Sequence, residues 1–128
     1  MKKYLLILFA IGMIFSFSSA ASAQNSGWIY VGTHQGVSVH WRYRQELKDQ
    51  YISELKFDNT NGYKVEISVK SRFVCASGEE VIGIGQMDTI AANDSKGGQW
   101  AGYFYYPCGG TKPPRSGGFK DFTVKRLQ

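Results

Sequence analysis

From Tyr63 to Cys75 the chain reads YKVEISVKSRFVC, in which Tyr63, Val65, Ile67, Val69, Phe73 and Cys75 alternate with Lys64, Glu66, Ser68, Lys70 and Arg72. Successive side chains of an extended strand point to opposite faces, so a run of this kind is dry on one side and wet on the other. The same period recurs in VSVHWRYRQ, where Val37, Val39, Trp41 and Tyr43 are separated by Ser38, His40, Arg42 and Arg44. In YISELKF it places Tyr51, Leu55 and Phe57 on one face. No stretch beyond residue 23 sustains a helical period. Further strands are predicted at 28–31, 80–87, 100–106 and 119–127, with turns containing Gly and Asn between them. About seven short strands predict an all-β domain, an antiparallel β-sandwich.

The beginning of the chain has a different character. Lys2 and Lys3 precede an apolar run from Leu5 to Phe17, and Ala21-Ser22-Ala23 is a small-x-small cleavage signal. This is the pattern of a signal peptide over residues 1–23, leaving one domain over 24–128. The apolar run is short for a bilayer-spanning helix, which needs about 20 residues. Cleavage therefore predicts a secreted or periplasmic protein with no membrane insertion. Removing Lys2 and Lys3 from 15 basic residues leaves 13 against 10 acidic ones, a formal charge of +3. That is far from the dense basic patch of a nucleic-acid binder.

Cys75 and Cys108 are the two cysteines. In an exported chain an even count predicts a disulfide. The closed loop of about 34 residues corresponds to roughly 3–4 kcal/mol of stabilisation. In general outline the chain resembles immunoglobulin- and fibronectin-like sandwiches. It departs from true immunoglobulin domains because Trp41 precedes Cys75 instead of lying between two cysteines.

Alternation also yields registers. If residues 45–51 link two strands, pairing positions that sum to about 96 keeps the apolar faces together and sets Arg42 opposite Glu54. In LKFDNTNGYKVEI, a three-residue Thr60-Asn61-Gly62 loop predicts a hairpin with Phe57 facing Val65 and Leu55 facing Ile67. DNTNG has acidic and amide oxygens, but it lacks the later bidentate acid of a calcium loop.

The segment QWAGYFYYPCGG carries the densest aromatic content. If it is one strand and Cys108 bonds Cys75 in the core, Trp100, Phe104 and Tyr106 point inward. Tyr103 and Tyr105 then point outward, where they could stack on a partner. The following loop, CGGTKPPRSGGF, has a stiff Pro113-Pro114 centre flanked by Lys112 and Arg115. Gly109-Gly110 and Gly117-Gly118 would loosen its ends, as in a presented recognition loop. The candidate binding residues are thus Tyr103, Tyr105, Lys112 and Arg115.

No catalytic or metal constellation stands out. His34 lies in a turn and His40 on a polar strand face, with no G-x-S-x-G elbow and no H-E-x-x-H. Adjacent Glu79 and Glu80 would diverge, while Asp88 and Asp94 flank an exposed polar connection. Asn93-Asp94-Ser95 fits a glycosylation sequon. The expected function is a non-catalytic, cofactor-free exported module that binds a cell-envelope or extracellular glycan or protein. Two alternatives are an assembly module joining subunits by β-strand addition and a small hydrolase built on Asp88, Asp94 or His40.

Overall fold

The computed structural model describes residues 25–127, so the predicted leader and its cleavage site lie outside the described residues. Eight strands follow in order: β1 (Ile29–His34), β2 (Val37–Leu47), β3 (Gln50–Asn59), β4 (Val65–Val74), β5 (Glu80–Ile90), β6 (Ser95–Gly97), β7 (Phe104–Tyr105) and β8 (Ser116–Arg126). One antiparallel sheet has the order β1-β2-β3-β6, with β7 also paired to β3; the other has the order β5-β4-β8. The chain is an all-β sandwich with a single described disulfide, Cys75–Cys108, whose Cα atoms are 5.6 Å apart. The likeness to immunoglobulin domains stops at two facing antiparallel sheets, because here three consecutive strands form a meander within one sheet.

Local sequence explains the first sheet. β1 and β2 close on Gln35-Gly36, both with positive φ (46° and 76°), the geometry a tight right-twisted hairpin requires. β2 and β3 pair as alternation predicts: Val37 opposite Asn59, Trp41 opposite Leu55 and Arg42 opposite Glu54.

The predicted β3–β4 hairpin does not form. Phe57 and Val65 belong to different sheets, and the residues between them carry the chain from one layer to the other. The crossing is held by Asn59, which is 2 % exposed. Its amide donates to the carbonyls of Tyr63, Ile90 and Ala91, and its Oδ1 accepts the Asn61 N–H. Asn61 in turn donates to the Gln35 carbonyl. These bonds satisfy backbone groups that would otherwise be orphaned where the sheets separate. Two apolar faces in sequence can pair edge to edge or stack across a core, and period two is blind to the choice.

β4 is the centre of the second sheet, hydrogen-bonded to β5 on one side and β8 on the other. Both ladders contain a bulge. In β8 it falls near Asp121, held at φ 52°. The core packs Val37, Val39, Trp41, Leu55 and Phe57 from the first sheet against Val65, Ile67, Val69 and Phe73 from the second. Trp41 lies flat on β8: a Cβ on Gly117 would be 2.5 Å from Trp41 Cδ2. Gly117 and Gly118 therefore belong to a strand, not to a loosened loop end, and pair with Phe73 and Arg72.

Candidate binding surface

The aromatic segment folds with the opposite polarity from the one predicted. Trp100 is 97 % exposed, Phe104 38 % and Tyr106 44 %, whereas Tyr103 is 2 % exposed. Tyr103 stacks edge-on against Phe57 with centroids 5.0 Å apart. Tyr105 packs on Phe73 at 5.4 Å. The phenol of Tyr103 donates to Asp88 Oδ2 at 3.2 Å, and that of Tyr105 donates to Gln86. Burial drives both phenols well above the ordinary value of 10.0, and the Asp88 charge adds to the effect at Tyr103. Tyr103 is buried and Tyr105 half-buried with its ring on Phe73, so the outward placement of both is corrected.

The cause is that residues 99–108 are not one strand. Gln99–Ala101 forms a 3-10 turn closed by left-handed Gly102, and β7 is two residues long. After Tyr106 the chain turns again, with Cys108 itself at φ 61° and ψ 31°. A left-handed residue breaks the alternation of faces. Cys108 can therefore reach Cys75 while Tyr105, three residues earlier, also points inward.

Phe104 and Tyr106 open onto the outer face of the first sheet, and Gln99, the residue before exposed Trp100, bonds to it. That face presents Ser38, His40, Arg42 and Arg44 on β2 beside Asp58, Lys56, Glu54 and Ile52 on β3. Phe104 is opposite Glu54 on the next strand. At the centre Glu54 is 1 % exposed. Its Oε1 accepts the Nε–H of Arg42 and of Arg44, each at 3.0 Å, and its Oε2 accepts the Gln99 N–H at 2.7 Å. Arg44 also donates to the Gln99 side chain at 2.6 Å. Burial alone would raise the Glu54 carboxyl. The bonds from Arg44, Gln99 and Arg42, with the Arg42 charge, instead hold it below its ordinary value.

The flanks of this hub are aromatic. The Arg42 guanidinium lies 4.2 Å from the Trp28 ring centroid, and Lys56 Nζ lies 5.1 Å from it. On the other side Tyr106 donates to Glu46 at 3.0 Å and meets Phe104 edge-on. Asn25, Ser26, Arg42, Arg44 and Gln45 line an open groove of about 370 Å³. The result is a cationic floor, pinned by one buried carboxylate, between Trp28 and the Phe104–Tyr106 pair.

The basic loop lies apart from this face. Lys112 and Arg115 are exposed, but Pro114 is buried, and the Arg115 N–H donates to the Val74 carbonyl at 2.7 Å. Lys112 lines a cleft of about 190 Å³ with Pro113, Glu79 and the disulfide. The loop is thus tied down at both ends. Of the four predicted binding residues, Tyr103 is buried, Tyr105 is half-buried against the core, and the other two share the disulfide end of the molecule.

Three of the remaining polar candidates, His40, Glu80 and Asp88, lie beside groups that can carry opposite charge, although His40 Nδ1 makes no hydrogen bond. His40 Nδ1 lies 3.3 Å from Asp58 Oδ2, and Glu80 pairs with Arg72 at 3.0 Å. Asp88 is a strand residue, not part of a loop, and accepts from Lys96 at 2.8 Å. Among the described residues no three His, Cys, Asp or Glu side chains gather as a metal site would require. Sequence reasoning singled out the His40, Arg42 and Arg44 stripe and set Arg42 opposite Glu54, but missed Trp28 and the convergence of Arg44 and Gln99 on the same carboxylate. An acidic residue set opposite one of two neighbouring arginines was the available signal.

Fold and surface together define a disulfide-bonded all-β domain with one aromatic, cationic sheet face. No family model matches the chain, and no curated protein or solved structure matches it either.

Proposed function

We propose that the protein is an exported, non-catalytic module that binds a cell-envelope or extracellular macromolecule, a glycan or a protein, through the outer face of its first sheet. The exposure of Trp100, at 97 %, carries this reading. An indole so placed contributes little to the fold, and its flat face stacks on sugar rings and apolar side chains alike. Phe104 and Tyr106 extend the platform. Arg42 and Arg44 supply hydrogen-bond donors whose geometry Glu54 already fixes, so little rotamer freedom remains to be lost on binding. Trp, Tyr and Arg are also the residues that dominate interface energetics. Lys112 and Arg115 offer a second, smaller contact near the disulfide.

Export is supported by the disulfide, a bond that persists in oxidising compartments, and by the signal-like first 23 residues. The test is a glycan array and an envelope-protein pull-down with the oxidised protein, repeated with a Trp100→Ala, Phe104→Ala, Tyr106→Ala triple variant. Loss of at least about tenfold in affinity is expected, one such factor being about 1.4 kcal/mol. Undiminished affinity would place the contact surface elsewhere, and turnover of glycosides or esters by the wild type would overturn the non-catalytic assignment.

A further inference from the structure

The second sheet ends in two unlike edges. β8 carries Lys120, Asp121, Lys125 and Arg126 and is bulged at left-handed Asp121. Both edges are bulged, but charges of this kind are how proteins protect a sheet edge. β5 has no charge from Val81 to Met87, and Ile82, Ile84 and Met87 are 40 %, 85 % and 68 % exposed. Among the described residues no strand pairs with its outer side. Glu80 and Asp88, at the ends of that run, are already neutralised by Arg72 and Lys96.

We propose that this edge pairs antiparallel with β5 of a second copy of the chain, joining two three-stranded sheets into one of six. The match of this edge to itself, apolar side chains and open space meeting under a two-fold axis, selects that occupant, and the β5 bulge is compatible with it. The bulge lies between Ile82 and Gly85, where the β4 register slips by one residue. A two-fold copy carries the same extra residue at the same place. With the axis between Ile84 and Gly85 the two bulges face each other and the register runs through.

That axis also aligns the faces. Glu80, Ile82, Met87 and Thr89 are all opposite outward residues of β4. The two-fold sets Ile82 against the partner's Met87, Glu80 against the partner's Thr89, and Val81 against the partner's Asp88. Ile84 meets the partner's Gly85, where nothing lies within 4 Å of the missing Cβ. Large apolar side chains thus meet each other or an open space, and no like charges are opposed.

Sedimentation equilibrium of the oxidised protein over a thousandfold concentration range tests the proposal. A monomer–dimer equilibrium is expected, with Ile84→Lys weakening it at least tenfold while the thermal midpoint of the monomer holds. Mixing Ile82→Cys with Met87→Cys protein should give an intermolecular disulfide, and Ile82→Cys alone should give much less. A strict monomer, growth beyond dimers, a dimer indifferent to Ile84→Lys, or equal cross-linking by Ile82→Cys alone would each overturn it. Trp100 takes no part in this contact, so failure here leaves the binding face untouched.

Discussion

The two outward sheet faces use opposite strategies. On the first sheet a buried carboxylate draws in two arginines and a backbone N–H, and aromatics flank them. Along β5 of the second sheet, apolar side chains stand in solvent with no polar group organising them. Directional bonds fix side chains and so prepare a specific surface. Bare apolar area is favourable to cover but indifferent to what covers it, so its specificity must come from backbone register.

The strongest break in this comparison is removal of the tie between the layers. The Cys75–Cys108 bridge links the end of β4 to the segment after β7, and replacing both cysteines with Ala should cost about 3–4 kcal/mol in denaturant unfolding. Glu54→Ala comes next, at about 2–3 kcal/mol, because it removes three hydrogen bonds and leaves two arginines facing each other. The same residue gives the first sheet an acid dependence. Its folded pKa lies below the ordinary 4.5, so its contribution is present above that value and is lost as the pH falls through the folded one. Glu54→Gln should flatten this arm of a stability–pH curve.

Tyr103→Phe should cost about 1 kcal/mol through loss of the bond to Asp88. The buried phenol of Tyr103 and the half-buried one of Tyr105 are both raised above 10.0 on folding. Their contribution is complete below pH 10 and is lost as the pH climbs through the folded values. Ultraviolet titration should show two tyrosines ionising together with alkaline unfolding, and Tyr103→Phe should remove one of them. The smallest effects belong to the exposed apolar groups. Trp100→Ala and Ile84→Lys should each shift monomer stability by no more than about 0.5 kcal/mol in urea melts, in sharp contrast to Glu54→Ala.

Much of the first sheet was legible because its hairpins are local. The 96-sum pairing of β2 with β3, including Arg42 opposite Glu54, followed from alternation and a short connection. The contact between Arg44 and the same carboxylate did not, because it depends on a diagonal reach across the ladder. Tyr103 and Tyr105 were misplaced for a different reason. Their faces were inferred by counting back from Cys108 through Tyr106 and Pro107, and the count fails wherever the backbone leaves the extended region.

From the order of residues alone came the strand-forming alternation, the inward faces of β2, β3 and β4, and the partner of Cys75. Each depends on the chain's immediate geometry or on there being just two cysteines. Tertiary structure decided that β3 and β4 stack instead of pairing, and that Trp100 is outside with Tyr103 inside. Period two propagates only along unbroken extended backbone, and an apolar face records that it must be dry without recording which neighbour will dry it.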